Sequence, residues 1–290
     1  MNISVVVPFY NAERYIEGCI CALLSQSIPA SCYEIIMIDN NSSDGSAEIV
    51  RKYPRIKLIS EQKQGSYAAR NRGIAEARGA IIVFTDPDCF PSHDWLDKMM
   101  TAMSHSDVGI VLGSRQFARY SQILSMLEAY EATKASYVFT GITREIYYGY
   151  TNNMAVRRTL FESLGQFLEI HRGADTVFVR SAVDSYGCQV VHYEHDACVR
   201  HMEIISVTSF YWKKLIYGGS NENNSYIVPF RPLTNRERLG LFKSTIRKEG
   251  NSLLKSGISF FFLALGAACY EFGRHRAIRR SRLRPNTSKN

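Results

Sequence analysis

Between residues 3 and 115 the chain alternates short apolar runs with segments of helical periodicity, and this alternation restricts the fold more than any other feature. Residues 3–7, 33–38, 56–60, 80–85 and 108–114 are apolar runs of strand length. Residues 13–26, 47–52, 65–78 and 95–103 read as helices; in the first, Tyr15, Ile16, Cys19, Ile20, Leu23 and Leu24 recur at helical spacing. Strands alternating with helices predict right-handed βαβ units and a mainly parallel sheet. Runs as continuous as Ile81-Ile82-Val83-Phe84 belong to strands buried on both faces.

Polar chemistry recurs where these strands end. The fourth runs into Asp86-Pro87-Asp88. On extended backbone, side chains i and i+2 share a side, so Asp86 and Asp88 can converge on a hard divalent cation such as Mg²⁺ or Mn²⁺. Open α/β sheets also place ligands at the carboxyl ends of their strands. A capping turn led by Ser92 or Asp94 is the competing reading. Asp39 and Asp44 follow the second strand, where a carboxylate can accept from a base or ribose donor. Arg70 and Arg72 near the start of the third helix can pair with phosphate; an exposed charged face is the competing reading for Arg72.

In order and spacing, Val5-Val6-Val7-Pro8-Phe9-Tyr10-Asn11, Ile38-Asp39-Asn40-Asn41-Ser42-Ser43-Asp44-Gly45-Ser46, Arg70-Asn71-x-Gly73 and Asp86-x-Asp88 resemble family 2 glycosyltransferases of the GT-A fold. The resemblance covers residues 3–115. It implies an α/β, Rossmann-like, mostly parallel mixed sheet flanked by helices. The expected organisation is a catalytic domain over 1–230, with a nucleotide-sugar half (1–115) and an acceptor half (116–230), then a helical extension over 231–290. Pro8, Tyr10, Asn11, Asp39, Asp44, Arg70, Arg72 and Asp86 would serve the nucleotide-sugar, with Asp39 at the base. Asp86 and Asp88 would serve ribose, metal and pyrophosphate. Thr151-Asn152-Asn153-Met154-Ala155-Val156-Arg157-Arg158 resembles the family's acceptor-lining segment, with Asn153 the matching asparagine. Asp175 would be the catalytic base, although Ala174 stands where the family usually has Glu; a helix cap is the alternative for Asp175. His201, in Val199-Arg200-His201, would complete the metal site or touch the diphosphate, and a neutral imidazole suits Mn²⁺ better than Mg²⁺. A purely structural histidine is the alternative. The implied reaction is inverting transfer from a nucleoside-diphosphate sugar, UDP-linked by default, to a hydroxyl of a saccharide or lipid-linked acceptor.

Two other readings compete. A nucleotidyltransferase would carry a Gly-rich basic loop where this chain has Pro8-Phe9-Tyr10-Asn11. A catalytically inactive, membrane-attached nucleotide-binding protein would keep the fold, and Ala174 is the one residue that points that way.

The net charge of +8 is concentrated at one end. From residue 273 onward stand Arg274, Arg276, Arg279, Arg280, Arg282, Arg284 and Lys289 with no acid, leaving 28 basic against 27 acidic residues elsewhere. Seven cysteines, with no paired spacing beyond Cys19-x-Cys21, fit reduced thiols in a cytoplasmic protein. A strand begins at once at the N-terminus, so no signal peptide is expected. Residues 256–270 are uncharged, shorter than the ~20 residues a spanning helix needs. Arg247, Lys248 and Lys255 flank the run on the other side, and a basic cluster at both ends disfavours a single crossing. An interfacial or re-entrant helix, drawn to anionic lipid at the inner face of the cell membrane, is the expectation. A buried core helix with a disordered basic tail is the alternative. Nucleic acid is not an expected partner, because no aromatic interleaving or base-reading motif accompanies the arginines.

Overall fold

The computed structural model describes residues 2–118 and 121–283, with side chains through 280; Arg284 and Lys289 of the basic tail lie outside the described residues. The chain divides into two compact units, Met1–Ala118 with Ala135–Glu203, and Arg119–Lys134 with Ile204–Asn290.

The first unit is built on one mixed sheet. Its strands are β1 (Ile3–Phe9), β2 (Tyr33–Asp39), β3 (Ile56–Ser60), β4 (Ile81–Thr85), β5 (Cys89–Pro91), β6 (Ile110–Phe117), β7 (Asn153–Arg157) and β8 (Val191–His201), in the spatial order β3-β2-β1-β4-β7-β6-β8-β5. The β1–β2, β2–β3, β1–β4 and β6–β8 pairings are parallel. The β4–β7, β6–β7 and β5–β8 pairings are antiparallel. The expected mostly parallel, mixed α/β sheet is therefore present, and its antiparallel pairs all involve β5 or β7.

Alternation within the strands sorts side chains onto two faces. Val5, Val7, Ile35, Met37 and Val83 join a core with Ile16, Cys19, Ile20 and Leu23 of α1 (Ile16–Leu24), Val50 of α2 (Ser46–Arg51), and Trp95, Leu96 and Met99 of α4 (Trp95–Ala102). Each such fully buried side chain contributes roughly 1.5–3 kcal/mol. On the opposite face α3 (Ser66–Glu76) lies so close that a Cβ on Gly73 would stand 2.4 Å from Val6 Cγ1 and 2.8 Å from Ile38 Cδ1. Gly73 sets how near this helix comes to the sheet. The chain continues through α5 (Gln122–Thr140), α6 (Arg158–Leu164) and α7 (Ala174–Tyr186).

The second unit contains α8 (Val207–Asn224), α9 (Asn235–Glu249) and α10 (Leu253–Leu283). Ser206 and Thr234 open α8 and α9 with reciprocal capping boxes. The backbones of α8 and α10 nearly touch. A Cβ on Gly218 would meet Tyr270 O at 2.0 Å, and one on Gly273 would meet Leu215 O at 2.0 Å.

Candidate active site

Because β1, β2 and β4 are parallel, the loops after them open at one edge of the sheet. Phe9 is level with Asp39, and Val6 with Phe84. Asp39 ends β2 partly buried, with Oδ1 accepting from the backbone N–H of Ser42 at 2.9 Å. Buried Asn40 then ties the loop before α3 to this edge. Its amide donates to the carbonyls of Glu61 and Lys63 at 3.0 and 2.8 Å, and its Oδ1 accepts from Gly65 N–H at 2.7 Å.

Asn11 has a left-handed φ of 48°, a conformation that asparagine tolerates better than most residues. Its Oδ1 accepts from Ser43 N–H at 2.8 Å, while its own N–H donates to Ser42 Oγ at 3.1 Å. Asp44 accepts from the N–H groups of Glu13 at 3.0 Å and Ser46 at 3.1 Å, and from the Ser46 hydroxyl. These bonds clamp the first loop to the second. Asp44 is thus a loop anchor, Tyr10 is left exposed, and Pro8 stays within β1.

Asp86 and Asp88 do not lie on extended backbone. Cys89 N–H donates to Asp86 O at 3.0 Å, closing a turn over 86–89 that sends the two carboxylates to different partners. Asp86 Oδ1 receives the Arg70 guanidinium at 2.5 Å. Asp88 Oδ2 faces His201 Nδ1 at 3.2 Å. The turn leads into β5, whose Cys89 pairs with His201 across the sheet, and this pairing is what carries the histidine to Asp88.

Arg70 is 5% exposed. It donates to Ser66 O at 3.3 Å and lies over the Tyr67 ring, 5.3 Å from its centroid. Its buried Nε finds no acceptor among the described residues. Arg72 points elsewhere: it is exposed on α3 and pairs with Glu76 at 3.0 Å.

Asp175 sits in the first turn of α7, beyond Gly173, whose φ is 85°. Its carboxylate accepts from Thr176 N–H at 2.8 Å and Thr151 N–H at 3.3 Å, and hydrogen-bonds the Tyr67 hydroxyl. Burial raises its pKa above the ordinary carboxylate value; the charge of Arg70, the two N–H groups and Tyr67 oppose that rise without cancelling it. A carboxylate held in this way is a better base than a solvated one. Tyr67 O also accepts from the N–H groups of Gly173 at 3.2 Å and Asp175 at 3.4 Å. One phenol thus holds the start of α7 while the ring beneath it supports Arg70.

Residues 4–165, more than half of the chain, match the family model for glycosyl transferase family 2. The chain belongs to glycosyl transferase family 2. Among curated relatives, glycosyltransferase AglE of Haloferax volcanii is 34% identical over 189 residues, which make up 63% of this chain and 62% of AglE. A solved mannosyltransferase of Pyrobaculum calidifontis, in complex with GDP-Man and Mn²⁺, covers the whole chain and 88% of its own at a TM-score of 0.61 and 19% identity. Residues 1–349 of S. aureus TarS cover 97% of this chain and 89% of their own at 0.55 and 17%. At these identities the likeness establishes the GT-A fold.

Within the family 2 frame the donor atoms fit a divalent ion. Ligand atoms of Asp88, Cys89 and His201 all lie within 4.8 Å of one another, and a carboxylate oxygen with an imidazole nitrogen suits Mn²⁺. Asp86, committed to Arg70, is not in that group. Asn153, matched by resemblance to the acceptor side, is fully buried. It accepts from Trp95 Nε1 at 2.7 Å and donates to Ser114 O at 2.6 Å and Ala197 O at 2.9 Å. It bolts β7 to β6, β8 and α4. Its neighbour Asn152, not singled out from the sequence, keeps a buried Oδ1 with no donor among the described residues. Tyr67 and Asn40 also escaped sequence reading. For Tyr67 a signal existed, since it stands three residues before Arg70 and therefore on the same helical face.

Proposed function

We propose that this protein transfers a sugar, with inversion, from a nucleoside-diphosphate sugar to a hydroxyl of a saccharide or lipid-linked acceptor, working at the inner face of the cell membrane. One observation carries the reading. The turn after β4 separates Asp86 and Asp88 onto Arg70 and His201, while Arg70 also supports the surroundings of Asp175 through Tyr67. Donor and acceptor chemistry are thereby joined through one buried arginine.

Asp39 receives the base, and UDP is the default donor nucleotide. Arg70, with its remaining N–H, holds a diphosphate oxygen. Asp44 and Asn11 keep the two donor loops in register. Asp175 takes the proton of the acceptor hydroxyl as that oxygen attacks the anomeric carbon from the face opposite the leaving group. Asp88 and His201 would hold Mg²⁺ or Mn²⁺, and such an ion, when bound, neutralises charge gathering on the leaving diphosphate. The GDP-Man and Mn²⁺ named for the Pyrobaculum calidifontis structure support metal use, though with a different base from the default.

The experiment is thermal unfolding of the purified chain with UDP, GDP, dTDP or CDP, each with and without Mn²⁺. Nucleotide at ~100 times its dissociation constant stabilises by roughly 2.7 kcal/mol. A metal-dependent rise with one base supports the reading and names the donor class; no rise with any of them overturns it.

A further inference from the structure

The sequence leaves open whether the apolar C-terminal run crosses a membrane, lies on it or avoids it. By length and composition, Leu253–Arg280 is long and apolar enough to cross, because α10 continues on both sides of the uncharged stretch. What surrounds the helix decides against crossing. One side of α10 is held by α8 over about 18 Å of parallel course, backbone against backbone at Gly218 and Gly273 and through three polar contacts. Tyr211 donates to Phe262 O at 2.8 Å, Asn221 to the Tyr270 hydroxyl at 2.9 Å, and Glu222 faces Arg274 at 3.9 Å. Arg238 of α9 reaches Glu271 at 3.5 Å. In a crossing orientation α8 would enter the hydrocarbon beside α10, with Lys213, Lys214, Asn221 and Glu222. Charged and amide side chains at that depth are strongly disfavoured.

The opposite side of α10 carries Ile258, Phe261, Leu265 and Phe272, which are 38, 63, 41 and 63% exposed. Ala264 and Ala268 lie exposed between them. This row ends where exposed Arg276, Arg279 and Arg280 begin, and no acid follows Glu271. At the other end Lys255 is exposed. A helix bare and apolar on one side, polar-partnered on the other and basic at both ends matches an anionic bilayer surface.

We propose that α10 lies in the plane of an anionic membrane, with Ile258, Phe261, Leu265 and Phe272 immersed, Arg276, Arg279 and Arg280 on lipid headgroups, and both helix ends on the same side. This rests on the membrane location proposed above and is independent of the chemistry assigned to the first unit.

The test is flotation of the full chain with sealed vesicles of phosphatidylcholine alone or mixed with phosphatidylglycerol. Flotation with the anionic vesicles is expected. F261D/L265D removes it while leaving the unfolding temperature and the nucleotide response unchanged, since both positions are exposed. R276Q/R279Q/R280Q weakens partitioning roughly a hundredfold. A Ser256→Cys and a His275→Cys variant, each in a background with Cys21, Cys32, Cys188, Cys198 and Cys269 replaced by serine, then report topology. With a membrane-impermeant maleimide added outside, both new thiols react if the helix lies flat. Protection of one of them means that the helix crosses, and overturns the proposal. So does an absence of flotation, or a concentration-dependent dimer in solution that F261D/L265D abolishes, which would assign this face to a second copy. A nucleotide response that persists in any of these outcomes leaves the transferase reading standing.

Discussion

The carboxylate of Asp175 is held between opposing influences, and its titration should show both. Burial lifts its pKa, whereas Arg70, Thr176 N–H, Tyr67 and Thr151 N–H hold the rise in check. A carboxyl whose pKa is raised on folding contributes stability below its unfolded value and loses that contribution as pH rises through the folded value. Asp175→Asn should therefore abolish turnover, retain the nucleotide response and unfold at a higher temperature than the parent at pH 7. The gain should vanish below about pH 4, where the parent carboxyl is protonated as well. Tyr67→Phe keeps the ring under Arg70 but removes one hydrogen bond to the anion. The acidic limb of its rate profile should move to higher pH with little change in donor KM; an unmoved limb would leave Tyr67 with packing alone. Arg70 and Arg72 show where sequence reading stops at this scale. Two residues apart on a helix, they point about 200° from each other, so only one can face the sheet. Nothing in their chemistry says which. The packing of Gly73 against Val6 decides it.

At the scale of elements, the alternating strands and helices of residues 3–115 were legible because the apolar runs of β1, β2 and β4 are buried on both faces. β5 was not legible: three residues, one of them Pro91, carry no periodicity. The turn over 86–89 was missed for a related reason, since the i, i+2 argument assumed a straight strand through Pro87. Packing tolerances allow sharper tests. Gly73→Ala drives a methyl into Val6 and should destabilise the chain by roughly 1–3 kcal/mol. By lifting Arg70 from Asp86 it should also blunt the nucleotide response. In the second unit Glu131 lies between Lys134 and Lys214, at 2.5 Å from each. Burial would raise its pKa, but the two lysines hold it well below the usual range. Its contribution is present at neutral pH and fades as pH falls. Glu131→Gln should accordingly lower stability by on the order of 2 kcal/mol at pH 7, with the difference narrowing in acid, as followed by thermal unfolding.

For the molecule as a whole, the family match ends at residue 165, well before α8, α9 and α10. The basic tail and apolar run were plain in the sequence. That α8 packs along α10 backbone to backbone through Gly218 and Gly273 was not, because two glycines 55 positions apart announce nothing until the helices pack. The order of strands in the sheet has a further consequence, for synthesis. β4 leaves the ribosome with β1 beside it, yet its other edge waits for β7, which begins 68 residues after Thr85. At 5–20 residues per second that edge stays open for roughly 3–14 seconds. During this interval the nascent chain presents one unpaired edge of a mostly apolar strand, a template for aggregation. A fragment ending at Phe117 freezes the chain at that stage and should collect in the insoluble fraction. The antiparallel strand that closes the sheet therefore also times its folding, and chaperone demand should fall sharply once Arg157 has emerged.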